Sequence, residues 1–232
     1  MFDPLALVRA AVDAGATAAF DADGTLWADD VGESFLRALE RDRLLPAGAW
    51  QGYEARHEVD PAAAYIFSAT VMEGLEEALV RARAAAFFAE HFERRIFPAV
   101  RGLLTALLDA GVRVAIVSAS NRWLIEAAAA RLGVPHAIGI AVEVEGGRLT
   151  GRPVRPLPVD RGKVEWARAL LGGPPALAVG NGAIDRALLG DARHRLVVCP
   201  ADRPDTALAC EARSAGWQIL AVEHPCREAP LP

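Results

Sequence analysis

Cysteine, methionine, tyrosine and excess basic charge are all scarce in this 232-residue sequence, and each shortage excludes something. The three cysteines, Cys199, Cys210 and Cys226, fall in the last fifth of the chain, with no CxxC spacing and no accompanying histidine cluster. That pattern supports neither a disulfide framework nor a zinc site. With 25 Lys and Arg against 30 Asp and Glu, the formal net charge is −5, and the broad positive footprint of a nucleic-acid binder is lacking. No stretch is long and uncharged enough to span a bilayer, and Met1 to Leu7 carries Asp3 in place of the basic start of a secretory leader. The expectation is a cytoplasmic protein without nucleic-acid or membrane partners. A homodimer is compatible with the sequence and not required by it. What is abundant is apolar, 53% of residues against 24% charged, the profile of a helix-rich globular chain able to bury a substantial core.

Three compact apolar runs read as buried strands: Thr17 to Phe20, Val112 to Val117 and Ala176 to Val179. Each ends on a polar group, at Asp21, Ser118 and Gly180-Asn181. Helical patterns cover Pro4 to Ala14, Pro98 to Ala110, Asn121 to Leu132 and Arg161 to Leu171, each followed by a glycine that can close it. Further strands are expected at Leu196 to Cys199 and Gln218 to Val222, with a helix beginning near Pro204 between them, and the tail after His224 reads as irregular. Such alternation implies an α/β fold, a Rossmann-like doubly wound parallel sheet that binds ligands at the carboxyl ends of its strands. Between Gly32 and Phe97 the alternation gives way to successive helices. Residues 32–97 are therefore expected to form an inserted α-helical cap, leaving 1–31 and 98–232 as the core. A small hairpin is expected from Ala141 to Gly151, turning at Gly146-Gly147.

The chemistry starts at Asp21-Ala22-Asp23-Gly24-Thr25, directly after the first strand. Two carboxylates two residues apart can leave a strand end facing one cavity. Phosphoryl transfer can use one as a nucleophile, through an aspartyl-phosphate, and the other as a proton donor and acceptor. A polar turn hinged on Gly24 is the plainer alternative for an isolated motif of this length.

Residues 20 to 27, FDADGTLW, resemble motif I of the haloacid dehalogenase superfamily, and the second aspartate is the mark of its phosphatases and phosphotransferases. Val114 to Ser118 with Ala119-Ser120 is similar to motif II, Lys163 to the motif III lysine, and Gly180-Asn181-Gly182-Ala183-Ile184-Asp185 to motif IV. The resemblance implies Asp21 as nucleophile, Asp23 as acid and base, and Ser118 and Lys163 as partners of the phosphoryl oxygens. It also implies phosphate contacts from the main chain at Gly24, Thr25 and Ala119. Magnesium is the implied cofactor, held by Asp21, the carbonyl of Asp23 and Asn181, with Asp185 acting through water or by holding Lys163. Asn181 stands where an aspartate is usual, so a neutral oxygen replaces an anionic one and weaker metal binding is expected.

A helical cap between motifs I and II resembles the phosphoserine phosphatase-like branch, which implies a phosphatase acting on a small phosphorylated metabolite. Two headgroups compete. Asp30 and Glu33, with Trp27, Trp50, Tyr53 and Tyr65, could hold the cation of an amino-alcohol phosphate, although these aromatics are equally at home in a cap core. Phosphoserine would require Arg56 or Arg81 for its carboxylate. A phosphotransferase, or a catalytically weakened phosphate-binding or regulatory protein, remains the alternative on the same fold.

Overall fold

The computed structural model describes residues 3–226 and 231, so most of the tail expected to be irregular lies outside the described residues. Helix α1 (Pro4–Asp13) starts where Asp3 accepts the N–H groups of Leu5 and Ala6 at 3.0 Å and Pro4 takes the first turn. Strand β1 (Thr17–Phe20) follows and is buried throughout. The chain then leaves the sheet for four helices: α2 (Val31–Arg41), α3 (Ala49–His57), α4 (Pro61–Thr70) and α5 (Glu77–Phe87). Helix α5 continues as a π-type turn, Phe88–Phe92, and a 3-10 turn, Glu93–Arg95. The excursion closes on itself: the N–H of Phe97 donates to the Leu26 carbonyl at 2.9 Å, and that of Ala28 to the Arg95 carbonyl at 3.0 Å.

Alternation then resumes with α6 (Pro98–Asp109), β2 (Arg113–Asn121), α7 (Arg122–Leu132) and β3 (His136–Ile140). The hairpin β4 (Val142–Glu145) and β5 (Arg148–Pro153) precedes α8 (Arg161–Leu171) and β6 (Leu177–Gly180). The short helix α9 (Arg186–Asp191), β7 (His194–Pro200), α10 (Ala207–Ala215) and β8 (Gln218–Val222) complete the fold. The hairpin braces the helical excursion, since the N–H of Gly74 donates to the Leu149 carbonyl at 2.8 Å and the N–H of Leu149 to the Leu75 carbonyl at 3.0 Å.

Six strands form one parallel sheet in the order β3-β2-β1-β6-β7-β8. Side chains divide between its two faces with the strand period of two. Ala18, Phe20, Val114 and Ile116 enter the core shared with α1, α6, α7 and the inserted helices, while Ala19, Ala115 and Val117 pack on α8, α9 and α10. The chain runs outward from β1 to β3 in one direction and from β6 to β8 in the other. The switch point, where the carboxyl ends of such a sheet leave a crevice, therefore lies beside β1.

Three expectations needed correction. Strand β2 continues through Asn121 instead of ending before Ser118, so the motif II residues are themselves extended and buried. Strand β3 had no counterpart in the sequence reading, because the run His-Ala-Ile-Gly-Ile is short and an interior glycine weakens a strand signal. Helix α10 starts at Ala207, where the Thr206 hydroxyl accepts the Ala209 N–H at 3.2 Å, and not near Pro204. Among the described residues no helix is long and apolar enough to cross a membrane.

Candidate active site

Three carboxyl ends of the sheet and the first turn of α8 meet at the switch point. The main-chain N–H of Asp21 donates to Val179 of β6 at 2.9 Å, which anchors the residue just beyond β1. In the first turn of α8, Gly162 is pressed against the preceding loop, where a Cβ would stand 1.8 Å from the Leu157 carbonyl oxygen, so only glycine fits. That close approach carries Lys163 inward, and its side chain is 0% exposed, unlike most lysines in a first helical turn.

Lys163 Nζ donates to Asp21 Oδ1 at 2.5 Å and to Asp185 Oδ1 at 2.6 Å. Asp185 Oδ2 accepts the N–H groups of Asn181 at 3.0 Å and Gly182 at 2.9 Å. Burial alone would lower the Lys163 pKa, but the charges of Asp185 and Asp21 outweigh it and hold the ammonium above its usual range. Burial, followed by repulsion from Asp185, pushes the Asp21 carboxyl up to about 7 even though Lys163 opposes the shift. Two carboxylates around one ammonium leave a formal charge of −1 in a desolvated place. Of the two roles expected for Asp185, its fully committed oxygens match that of holding Lys163.

The Thr25 hydroxyl donates to Asp21 Oδ2 at 2.8 Å and lies 3.1 Å from Asn181 Oδ1. Gly24 makes the turn between them at φ +71°, and a Cβ there would fall 2.0 Å from Asn181 Nδ2, so a side chain would displace the amide. The expected phosphate contacts from the amides of Gly24 and Thr25 need correction. Both are spent inside the turn, Gly24 N–H on the Trp27 carbonyl at 2.9 Å and Thr25 N–H on the Ala22 carbonyl at 3.0 Å. By contrast, no hydrogen bond of the Ala22 or Asp23 N–H groups occurs among the described residues, and these two flank the nucleophile candidate. An N–H with no partner in the chain is free to donate to a ligand, and a phosphoryl oxygen is one such acceptor.

Asp23 is gripped on both oxygens. Trp27 Nε1 at 2.8 Å and the Val31 N–H at 2.7 Å donate to Oδ1, and the Ser120 hydroxyl donates to Oδ2 at 2.5 Å. Burial raises its pKa above the ordinary carboxylate value, and the three donors only partly oppose this. Ser120 is a contact that the sequence reading missed, and the available signal was a hydroxyl two residues beyond Ser118. Ser118 is itself 1% exposed and accepts the Ser120 N–H at 3.1 Å.

A cleft of about 360 Å³ opens over Asp21, Asp23, Ser118, Ala119, Ser120 and Asn181 and is walled by Asp30, Glu33, Tyr53, His57 and Tyr65 from the helical excursion. Asp30 caps α2 by accepting the Glu33 N–H at 2.8 Å, and Glu33 accepts the Tyr53 hydroxyl at 3.3 Å. Trp27 and Trp50 do not line this cleft. Trp27 is wholly buried behind Asp23, and Trp50 lies under the Arg37 guanidinium, 3.7 Å from its ring centre.

The donor chemistry fits a hard divalent cation such as magnesium, because Asp21 Oδ2 and Asn181 Oδ1 converge on one hydroxyl and both are oxygens. The set is sparse in charge. Among the described residues no group of three or more His, Cys, Asp and Glu side chains is placed to hold a metal, so an amide, main-chain oxygen and water would have to complete the shell.

A family model described as haloacid dehalogenase-like hydrolase matches residues 18–190. The chain belongs to that family. Among solved structures, a Bordetella pertussis Tohama I protein of unknown function is 22% identical over 88% of this chain and 97% of its own, with a TM-score of 0.78. A haloacid dehalogenase family hydrolase from Salmonella enterica serovar Typhi is 18% identical over 90% of this chain and 69% of its own, with a TM-score of 0.64. A phosphoserine phosphatase carrying an analogue of a phospho-aspartyl intermediate is 17% identical over 91% of this chain and 95% of its own, with a TM-score of 0.60. At these identities the likeness is one of fold. No curated protein sequence matches at a significant level. The haloacid dehalogenase-like family match spans every candidate residue on the floor of the cleft: Asp21 and Asp23 just after β1, Ser118 and Ser120 in β2, Lys163 in α8, and Asn181 and Asp185 just after β6.

Proposed function

We propose that this hydrolase is a magnesium-dependent phosphatase that releases phosphate from a small phosphomonoester through a phosphoryl group carried on Asp21. The observation that carries the reading is the buried Asp21–Lys163–Asp185 trio, opening onto a cleft in which a second carboxyl, Asp23, stands with a raised pKa. Phosphoserine phosphatases among the structural neighbours support it.

Asp21 attacks phosphorus, the bond from phosphorus to the alkoxy oxygen breaks, and the departing alcohol takes a proton from Asp23. Asp23 then accepts a proton from the water that attacks the phosphoryl group, the bond to Asp21 breaks, and inorganic phosphate leaves. Lys163, the Ser118 hydroxyl and the N–H groups of Ala22 and Asp23 offset the charge on the phosphoryl oxygens. A magnesium ion held by Asp21, the Asp23 carbonyl and Asn181 would supply Lewis-acid screening of the phosphate charge. Ser120, Trp27 and the Val31 N–H hold Asp23 in place across both proton transfers. The inserted helices act as a cap, and a cleft of about 360 Å³ limits the substrate to a small one.

A panel of phosphomonoesters assayed with and without magnesium tests this reading. Magnesium-dependent phosphate release is expected, falling by about four orders of magnitude or to background in Asp21→Asn, because an amide is a poor nucleophile. Release that persists in Asp21→Asn would remove that residue from its role, and release from no ester would overturn the reading.

A further inference from the structure

The wall of the cleft has chemistry of one sign. Asp30 and Glu33 face the cavity together with Asp23, and no Lys or Arg side chain lines it. Among the described residues the Asp30 carboxyl accepts main-chain N–H groups from its own helical turn, those of Gly32 and Glu33, and the Glu33 carboxyl accepts the Tyr53 hydroxyl. Neither makes an ion pair among the described residues. Beside them stand the Tyr53 and Tyr65 rings, held by a run of aromatic contacts. Trp50 stacks on Tyr53 at 5.3 Å, Tyr53 on His57 at 5.8 Å, and His57 meets the Tyr65 ring edge-on at 5.9 Å.

We propose that this cleft selects phosphomonoesters whose headgroup is an ammonium cation without a carboxylate, the amino-alcohol phosphates. Asp30 and Glu33 are then its charge partners, and Tyr53 and Tyr65 its aromatic walls. The inference rests on the phosphatase reading above and adds the substrate class to it. Carboxylates and tyrosine faces attract the same cation by different means, one through full charge and the other through the ring quadrupole, and here they share one cavity. A headgroup carrying a carboxylate would meet the carboxyl groups of Asp30 and Glu33 and no Lys or Arg side chain. The two arginines that could have served phosphoserine are engaged elsewhere. Arg56 donates to the Gly52 carbonyl at 2.6 Å and stacks over Phe67, while Arg81 pairs with Glu77 and Glu126. A neutral headgroup would leave Asp30 and Glu33 with their solvation reduced and nothing in exchange.

The test compares kcat/KM for phosphoethanolamine and phosphocholine with that for propyl phosphate, 3,3-dimethylbutyl phosphate and phosphoserine, using the wild-type chain with magnesium. At least one cationic ester is expected to exceed its neutral counterpart by about tenfold or more, with phosphoserine below both. The ratio of cationic to neutral turnover is expected to fall at least about fivefold in Glu33→Gln and in Tyr65→Leu, each first shown to melt cooperatively. Preference for propyl phosphate or phosphoserine would overturn the headgroup inference while leaving a phosphatase in place. Turnover of none of the five would overturn both. A cationic preference that both variants leave intact would overturn the assignment to this wall.

Discussion

On the floor of the cleft, Lys163 is fully buried, both its carboxylate partners sit within 2.6 Å, and each oxygen of Asp185 has a donor. On the wall, Asp30 and Glu33 accept main-chain and tyrosine donors but meet no Lys or Arg among the described residues. The first arrangement fixes one geometry and, under the proposed mechanism, leaves little for a ligand to supply except a phosphoryl group at Asp21. The second is electrostatically incomplete, and a ligand can complete it. Such a division suits the proposed function, in which one chemistry is performed on a floor of strand ends while the inserted helices select the headgroup.

The largest expected effect breaks the floor. Lys163→Met keeps side-chain length but leaves Asp21 and Asp185 buried without their ammonium, and removing one partner from a buried ionic cluster costs ~3–5 kcal/mol. A fall in Tm on the order of 10 °C follows for a chain of this size. Adding Asp185→Asn to the same chain is expected to recover part of the loss, since it removes one of the two stranded charges. Melting curves of parent, single and double variants decide the matter, and a single variant as stable as the parent would show that the floor is not held by this trio.

The floor was far more legible in the sequence than the wall, and the cause is physical. Asp21, Ser118 and Asn181 follow apolar runs whose ends must lie at one edge of a parallel sheet, so strand assignment alone brings them near one another. Lys163 was harder to place, because nothing in Arg161-Gly162-Lys163 states that Gly162 lets α8 approach closely enough to bury its first turn. The amides of Gly24 and Thr25 were misjudged because the turn closes on Trp27 and Ala22, a detail of loop hydrogen bonding and not of pattern. On the wall, Tyr53, His57 and Tyr65 have the spacing of ordinary helix-packing residues, and Trp50 and Trp27 looked equally suitable. Only the packing of α3 on α4 separates the rings that face the cleft from those that do not.

A smaller effect sharpens the comparison at the proposed magnesium site. Asn181→Asp is nearly isosteric and adds a charge beside the formally −1 trio, so magnesium affinity measured by calorimetry is expected to rise roughly tenfold. The same charge raises repulsion when no cation is bound, so stripping magnesium with a chelator is expected to lower the Tm of the variant more than that of the parent. An unchanged affinity would mean that Asn181 is not a ligand.

The smallest effect lies on the wall and depends on pH. Burial first, and then the charge of Asp23, hold the Asp30 carboxyl well above its ordinary value of 3.8. The folded chain therefore binds this proton more tightly than the unfolded chain does. Ionised Asp30 costs stability above its raised pKa, and the cost disappears as pH falls through that value toward 3.8. Asp30→Asn removes the titrating group and can still cap α2, because an asparagine oxygen accepts the Glu33 N–H equally well. In the magnesium-free protein the variant should be the more stable at pH 8, seen as a higher Tm. Differential melts from pH 8 down to 4.5 are expected to show that gap closing. A gap that does not vary with pH would place Asp30 among charges already compensated, and the wall would then resemble the floor.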